Sequence, residues 1–259
     1  RLPVPRLPDK TFRGMITNLT DNYLRWYHDR PVAITSSRRD GLRALHRIMY
    51  RCAERLSLNY RQYVAKWIPL EDKELEILEY QSQFPFKAGT WRPDYIICGD
   101  GSLKICEITS RFFAHGIFMS RFAEEAADRF MARFPGKTRE TEYPRLMEHM
   151  AGIARGKKEI FVLKSSDRTN EIRLSDFRNI FLIHDKRFMR MWFEDEFTKD
   201  FLTDEETSFL RSHAIPTWDC SATETSGILK DASINKDKYI LKPYRLGKSE
   251  GVKAGVLTG

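Results

Sequence analysis

Arg92, Asp94 and Glu107 are residues whose types and spacing could do chemistry together. Tyr95-Ile96-Ile97-Cys98 follows Asp94, then a Gly99-Asp100-Gly101-Ser102 turn, then Leu103-Lys104-Ile105-Cys106 leading into Glu107. Two β-branched runs around a Gly- and Asp-rich turn predict a β-hairpin. A hairpin lays its open ends side by side, so Asp94 at the start of one strand and Glu107 near the end of the other come to face each other. Facing carboxylates repel unless a cation lies between them, and Mg²⁺ is usually held by one or two carboxylates with phosphate oxygens and water. Arg92, two positions before Asp94, projects from the same face if Pro93 keeps the strand in register. A guanidinium there would stabilise charge developing on a metal-bound phosphate. The plainer alternative is a pair of exposed hairpin carboxylates with no special role.

A second group closes the chain. The apolar run Tyr239-Ile240-Leu241 ends in Lys242-Pro243 and is followed by Gly247-Lys248-Ser249-Glu250-Gly251-Val252. A strand ending in Lys and then a glycine-bearing loop can hold a triphosphate. The Lys supplies a compact positive charge, and the glycines let backbone N–H groups approach phosphate oxygens. The spacing is not that of a P-loop, and an ordinary hairpin is the alternative.

Together these residues resemble the ATP-grasp ligases. The metal-binding hairpin of that family reads Arg, two residues to Asp, about 13 more to Glu, and two more to Asn, which here gives Arg92, Asp94, Glu107 and Thr109. The Lys-Pro strand with its Gly-Lys-x-x-Gly-Val loop is similar to the start of the family's nucleotide lobe, and Ile215-Pro216-Thr217 is similar to an element that precedes it. Because the hairpin comes before the Lys strand, the order is that of the circularly permuted branch resembling glutathionylspermidine synthetase. The resemblance implies Mg²⁺ on Asp94, Glu107 and Thr109, with Thr in place of Asn as a departure that admits a weakened catalyst. It implies ATP on Lys242, Gly247, Lys248 and Gly251, and catalytic roles for Arg92 and Arg111. Its activity would be ATP-dependent joining of a small-molecule or peptide carboxylate to an amine through an acyl phosphate. Two other readings stand beside it: a PD-(D/E)xK-like nuclease, which would want Lys where Thr109 stands, and a pseudo-ligase that kept the fold and lost turnover.

The elements that must position these residues follow from periodicity. Leu42, Leu45, Met49, Cys52 and Leu56 lie at helical spacing over 41–56. Further helices are expected over 59–68, stopped by Pro69, over 71–80 and over 119–134. Residues 159–163 read as a buried strand, and 179–184 as another, with a helix as the alternative. Thr203 with the acidic residues after it opens a helix to about Ser212, a further helix lies near 223–231, and 238–242 is a strand. The fold class expected is α+β and ATP-grasp-like: an antiparallel sheet carrying the hairpin, a small α/β unit before the ATP lobe, and the beginning of that lobe. The divisions are a helical region over 1–90, the metal-binding hairpin and following helix over 91–150, the α/β unit over 151–222, and the incomplete ATP lobe over 223–259. A trimmed chain is expected from the opening Arg and from the stop soon after the Gly-rich loop.

Composition narrows the class. The 259 residues are 41% hydrophobic and 31% charged, the profile of a folded domain rather than a disordered chain. No apolar run approaches the roughly 20 residues of a membrane helix, and with no targeting signal a cytoplasmic location is expected. The net charge of +8 suits an anionic ligand, but the basic residues are scattered, which disfavours nucleic acid as a partner. Cys52, Cys98, Cys106 and Cys220 form no C-x-x-C pair and read as reduced, with Cys98 and Cys106 packed as small hydrophobes. His115 reads as a structural histidine.

Overall fold

Leu45, Ile48, Met49, Cys52, Ala53 and Leu56, at steps of three and four, are all buried along one stripe of helix α1, Ser36–Leu58. In the computed structural model, residues 13–16, 34–89, 91–110, 123–124, 126–133, 144–145, 148, 151–152, 176–245 and 250–255 are described. Helix α2, Tyr60–Trp67, starts directly after α1 and stops at Ile68, where Pro69 forbids further helix. Helix α3, Asp72–Ser82, is opened by a reciprocal capping box between Glu71 and Glu74.

Strands β1, Arg92–Ile97, and β2, Leu103–Thr109, then form the expected hairpin. They pair antiparallel, with Gly101 at a φ of 78° in the turn, where a side chain would be strained. The ladder pairs Arg92 with Thr109, Pro93 with Ile108 and Asp94 with Glu107, but then Tyr95 with Ile105. Cys106 is therefore an extra residue on β2, a β-bulge. Its effect on packing is direct: Ile105 and Ile108, three apart rather than two, are both buried on the core side. Ile105 also forms a parallel bridge with Ala214, which ties β2 to the chain after α6.

From residue 176 the chain is helical. Residues Asn179–Ile183 form a single π-helical turn, so the strand expected over 179–184 is replaced by the helical alternative. The apolar run there is buried by a turn of helix, because Leu182 and Ile183 pack into the core beside α1 and α2 rather than into a sheet. Helices α4, Arg187–Met191, and α5, Asp195–Thr198, follow, then α6, Asp204–His213, whose Thr203 hydroxyl and Glu206 carboxylate make a second capping box. Helix α7, Ser226–Ile234, leads to β3, Ile240–Leu241, paired antiparallel with β4, Lys253–Ala254. The strand expected over 238–242 is thus two residues long, since Lys236–Lys238 close a 3₁₀ turn. Between residues 176 and 222 the only β contact among the described residues is the Ala214 bridge. The strand expected over 159–163 lies outside the described residues.

Contacts divide the chain into two compact units, Asp40–Phe113 with Arg173–Gly259, and Arg1–Arg39 with Ala114–Ile172. The core of the first is built on Trp67, Trp192, Tyr63, Phe188 and Phe197, with the Phe197 ring edge-on to Tyr63 at 5.2 Å. In the second, residues 126–131 are helical within the segment expected as a helix, Ile16 and Ala126 are buried, and Arg129 donates to the Met15 carbonyl at 2.6 Å. No helix among the described residues is long and apolar enough to cross a membrane.

Candidate functional site

Residues opposed across an antiparallel ladder share a face, so Arg92, Asp94, Glu107 and Thr109 stand together on the side of the hairpin away from Ile105 and Ile108. Arg92 donates through Nε to Asp94 Oδ1 at 2.6 Å and through a terminal nitrogen to Oδ2 at 3.1 Å. That bidentate bond holds Arg92 protonated more firmly than a free guanidinium, with burial opposing it and Glu107 adding a smaller attraction. Glu107 has its own cation, Lys186, with Nζ 3.8 Å from Oε2. Each carboxylate of the facing pair is thus already matched by a positive side chain.

Lys242 reaches the same place from the far end of the chain. Its Nζ donates to the Cys106 carbonyl at 3.1 Å, across 136 residues of sequence. Cys106 is the bulge residue, and its thiol donates to the Asp94 carbonyl at 3.3 Å. The bulge takes Cys106 out of the cross-strand pairing and leaves its carbonyl to a side-chain donor. Burial pushes the Cys106 thiol above its ordinary value, with Lys242 opposing the shift and Asp94 and Glu107 adding to it. Cys98 and Cys106 are half-buried rather than core residues, Cys52 is fully buried, Cys220 is exposed, and all four are free thiols.

What carries Lys186 and Lys242 to the hairpin is the His184-Asp185-Lys186-Arg187 run between π-turn and α4, all four buried. The Lys186 N–H donates to the Tyr244 carbonyl at 2.9 Å. Asp185 accepts from Arg187 Nε at 3.0 Å and from Arg245 Nε at 2.9 Å, and Arg245 also pairs with Glu74 on α3. The Arg187 guanidinium lies over the Tyr244 ring at 4.0 Å, and the Tyr244 hydroxyl donates to Asp219 at 3.0 Å. Burial works against the charge on Arg187, but Asp185, Asp219 and Tyr244 raise its pKa. Motif spacing missed this scaffold. Its signal was four consecutive ionisable residues set between the apolar run 180–183 and the stretch 188–193, apolar but for Arg190, since charges in such a setting must be buried and paired.

The structure brings together Arg92, Asp94, Glu107, Thr109 and Lys242. Gly251, at a φ of 67°, stands in the turn before β4. Arg111, His115, Gly247 and Lys248 lie outside the described residues. No group of three or more His, Cys, Asp or Glu able to hold a metal occurs among the described residues. Two carboxylates do suit Mg²⁺ that arrives with phosphate oxygens and water, and do not make a cage for the bare ion. A separate cleft of about 440 Å³ lies between α4, the 216–218 segment and α7, lined by Arg190, Phe193, Glu194, Trp218 and Ile228 among others.

In comparison with known proteins, the model of the family described as AnkG N-terminal domain matches residues 43–182, just over half of the 259-residue chain. No curated protein and no solved structure matches. The match takes in the hairpin, α2, α3 and α1 from residue 43 onward. It overturns the resemblance to ATP-grasp ligases and, with it, the carboxylate–amine ligase activity and its nuclease and pseudo-ligase alternatives. The physical reason is that a facing carboxylate pair and a Lys before a Gly-rich loop are short patterns. Any hairpin with acidic open ends, or any Lys-Pro strand, can supply them, whereas the family match extends over 140 consecutive positions, 43 through 182.

Proposed function

The chain belongs to the AnkG N-terminal domain family, and within that family we propose that its hairpin and Lys242 segment form a binding site for a Mg²⁺-complexed phosphate ligand of the ATP type. The single observation that supports the reading most is the Lys242 contact with Cys106, which sets an ammonium beside the strand that carries Glu107. Lys186 and Arg92 add two more cations, and Asp94 and Glu107 supply the oxygens that a hard divalent ion prefers. Asp94 and Glu107 would hold the ion, Thr109 would reach it with a hydroxyl, and Lys242 and Arg92 would take the phosphate oxygens. The net charge of +8 draws such an anion toward the surface. The reading is one of binding, and no reaction is assigned to it.

The test is calorimetric titration of the chain with ATP, with tripolyphosphate, and with MgCl₂ alone, each for wild type and Lys242→Ala. Binding of Mg²⁺–ATP that falls at least about tenfold in the variant, the loss of one charge-assisted contact, supports the reading. Tripolyphosphate binding as well as ATP would assign recognition to the phosphates alone. Absence of binding to any of the three, or equal binding by the variant, would refute the reading.

A further inference from the structure

We propose that His184 is a buried imidazolium that pins strand β2 to the Lys242 segment, acting as a positioning residue for the phosphate site. The consequence for ligand affinity rests on the function proposed above, whereas the charge state of the ring does not. His184 is buried, and its two ring nitrogens each face a backbone carbonyl oxygen: Nδ1 is 3.1 Å from Ile108 O, and Nε2 is 3.0 Å from Arg245 O. Carbonyl oxygens only accept. A neutral imidazole carries one N–H, so its other nitrogen would press a lone pair against the lone pairs of a carbonyl. Only the cationic ring donates to both at once.

The ring stands among paired charges. Beside His184 on its own stretch lie Asp185, Lys186 and Arg187; Arg245 and Tyr244 face that stretch from the C-terminal segment, Glu74 from α3, and Asp219 from the loop before α7. Lys186 is matched to Glu107 of β2. Arg187 pairs with Asp185 and Asp219, and Arg245 pairs with Asp185 and Glu74.

The position gives the bridge its role. Ile108 follows Glu107 directly, and Arg245 lies three residues beyond Lys242. Two charge-assisted bonds from one rigid ring therefore fix the spacing between the acidic strand and the lysine. Removal of either would let the Lys242 segment drift from Cys106.

The experiment is ¹⁵N-edited NMR of the chain labelled at histidine, at pH 7.5, with the His184 signals identified by their loss in His184→Gln. Two slowly exchanging ring N–H protons and two nitrogens at protonated shifts are expected at a pH above the ordinary value of histidine, near 6.5. A single ring N–H, with the other nitrogen at an unprotonated shift, would overturn the imidazolium. The wild-type spectrum alone carries that result if the variant fails to fold, because the other five histidines can be assigned by His28→Gln, His46→Gln, His115→Gln, His149→Gln and His213→Gln. For positioning, His184→Gln should bind Mg²⁺–ATP about tenfold more weakly than wild type, with His46→Gln unchanged. A folded His184→Gln that binds as tightly as wild type would overturn the positioning role. If the wild type binds no phosphate ligand yet shows both N–H protons, the proposed function falls and the imidazolium stands.

Discussion

The Lys242 ammonium and the Cys106 carbonyl meet at 3.1 Å because Cys106 is the one residue of β2 without a partner on β1. Bulge and lysine are therefore one device: the same irregularity that turns Ile105 into the core frees the carbonyl that Lys242 takes. Deleting Cys106 keeps Tyr95 opposite Ile105 and Asp94 opposite Glu107, so the ladder should close with Ile105 and Ile108 still on the core face, while the carbonyl that Lys242 takes is lost and ligand affinity falls. Mg²⁺–ATP titration checks it, and a deletion variant that binds as tightly as wild type would show that the bulge is idle.

Ile105 itself has no exposed surface and supports both the hairpin and the Ala214 bridge. Ile105→Ala should destabilise the chain by about 2–5 kcal/mol through lost burial and the cavity left behind. Lys242→Ala, at a half-buried site, should change stability far less. Urea unfolding of the two variants side by side separates a packing residue from a ligand residue.

Asp219 is buried and accepts from the Ser221 backbone and hydroxyl and from Tyr244. Burial alone would raise its carboxyl, but these bonds, with the Arg187 charge, hold it below the ordinary value. A carboxyl depressed in the folded state adds stability that is present above its unfolded value, near 4, and is lost as pH falls through the folded value. Asp219→Asn should therefore lower stability at pH 7 by about 1–3 kcal/mol and flatten its dependence on pH below about 4. Chemical denaturation from pH 2 to 7 reads both effects, and an unchanged acid slope would count against Asp219 as its source.

Cysteine reactivity should follow burial. Cys220 is exposed, whereas burial pushes the Cys52 thiol far above its ordinary value, against a smaller lowering by Arg51. Iodoacetamide at pH 8 should label Cys220 first and Cys52 only on unfolding, with mass spectrometry of timed digests as the readout. Rapid labelling of Cys52 in the folded protein would contradict the packing of α1.

The Thr203 cap offers a local check. Its hydroxyl accepts from the Glu206 N–H at 3.2 Å while Glu206 returns a bond to the Thr203 N–H at 3.0 Å. Thr203→Ala should cost about 1 kcal/mol, measured as a shift of the denaturation midpoint, and Thr203→Ser almost nothing.

By itself the sequence determined whatever depends on neighbours along the chain. The Gly-rich turn set the hairpin, though its register alone would put Asp94 opposite Cys106 rather than Glu107; the three- and four-residue steps of α1 set its buried stripe; Thr203 and Glu206 set where α6 begins. The bulge was not legible, because an extra residue on one strand is chosen by which side chains the core can bury, and Ile105 and Ile108 both win that competition. The helical turn over 179–183 was decided in the same way, since an apolar run of that length can be buried as strand or helix and only its neighbours in space choose. The family was hidden too, because spaced motifs of a few residues carry less information than a match over more than half the chain. Above all, tertiary structure decided the cations of the site. Lys186 and Lys242 lie 79 and 136 residues from the positions they meet, Glu107 and Cys106. No local rule links such positions; what joins them is a buried, ionically paired run, His184 to Arg187, that can lower its desolvation cost only by gathering partners from α3, β2 and the C-terminal segment at once.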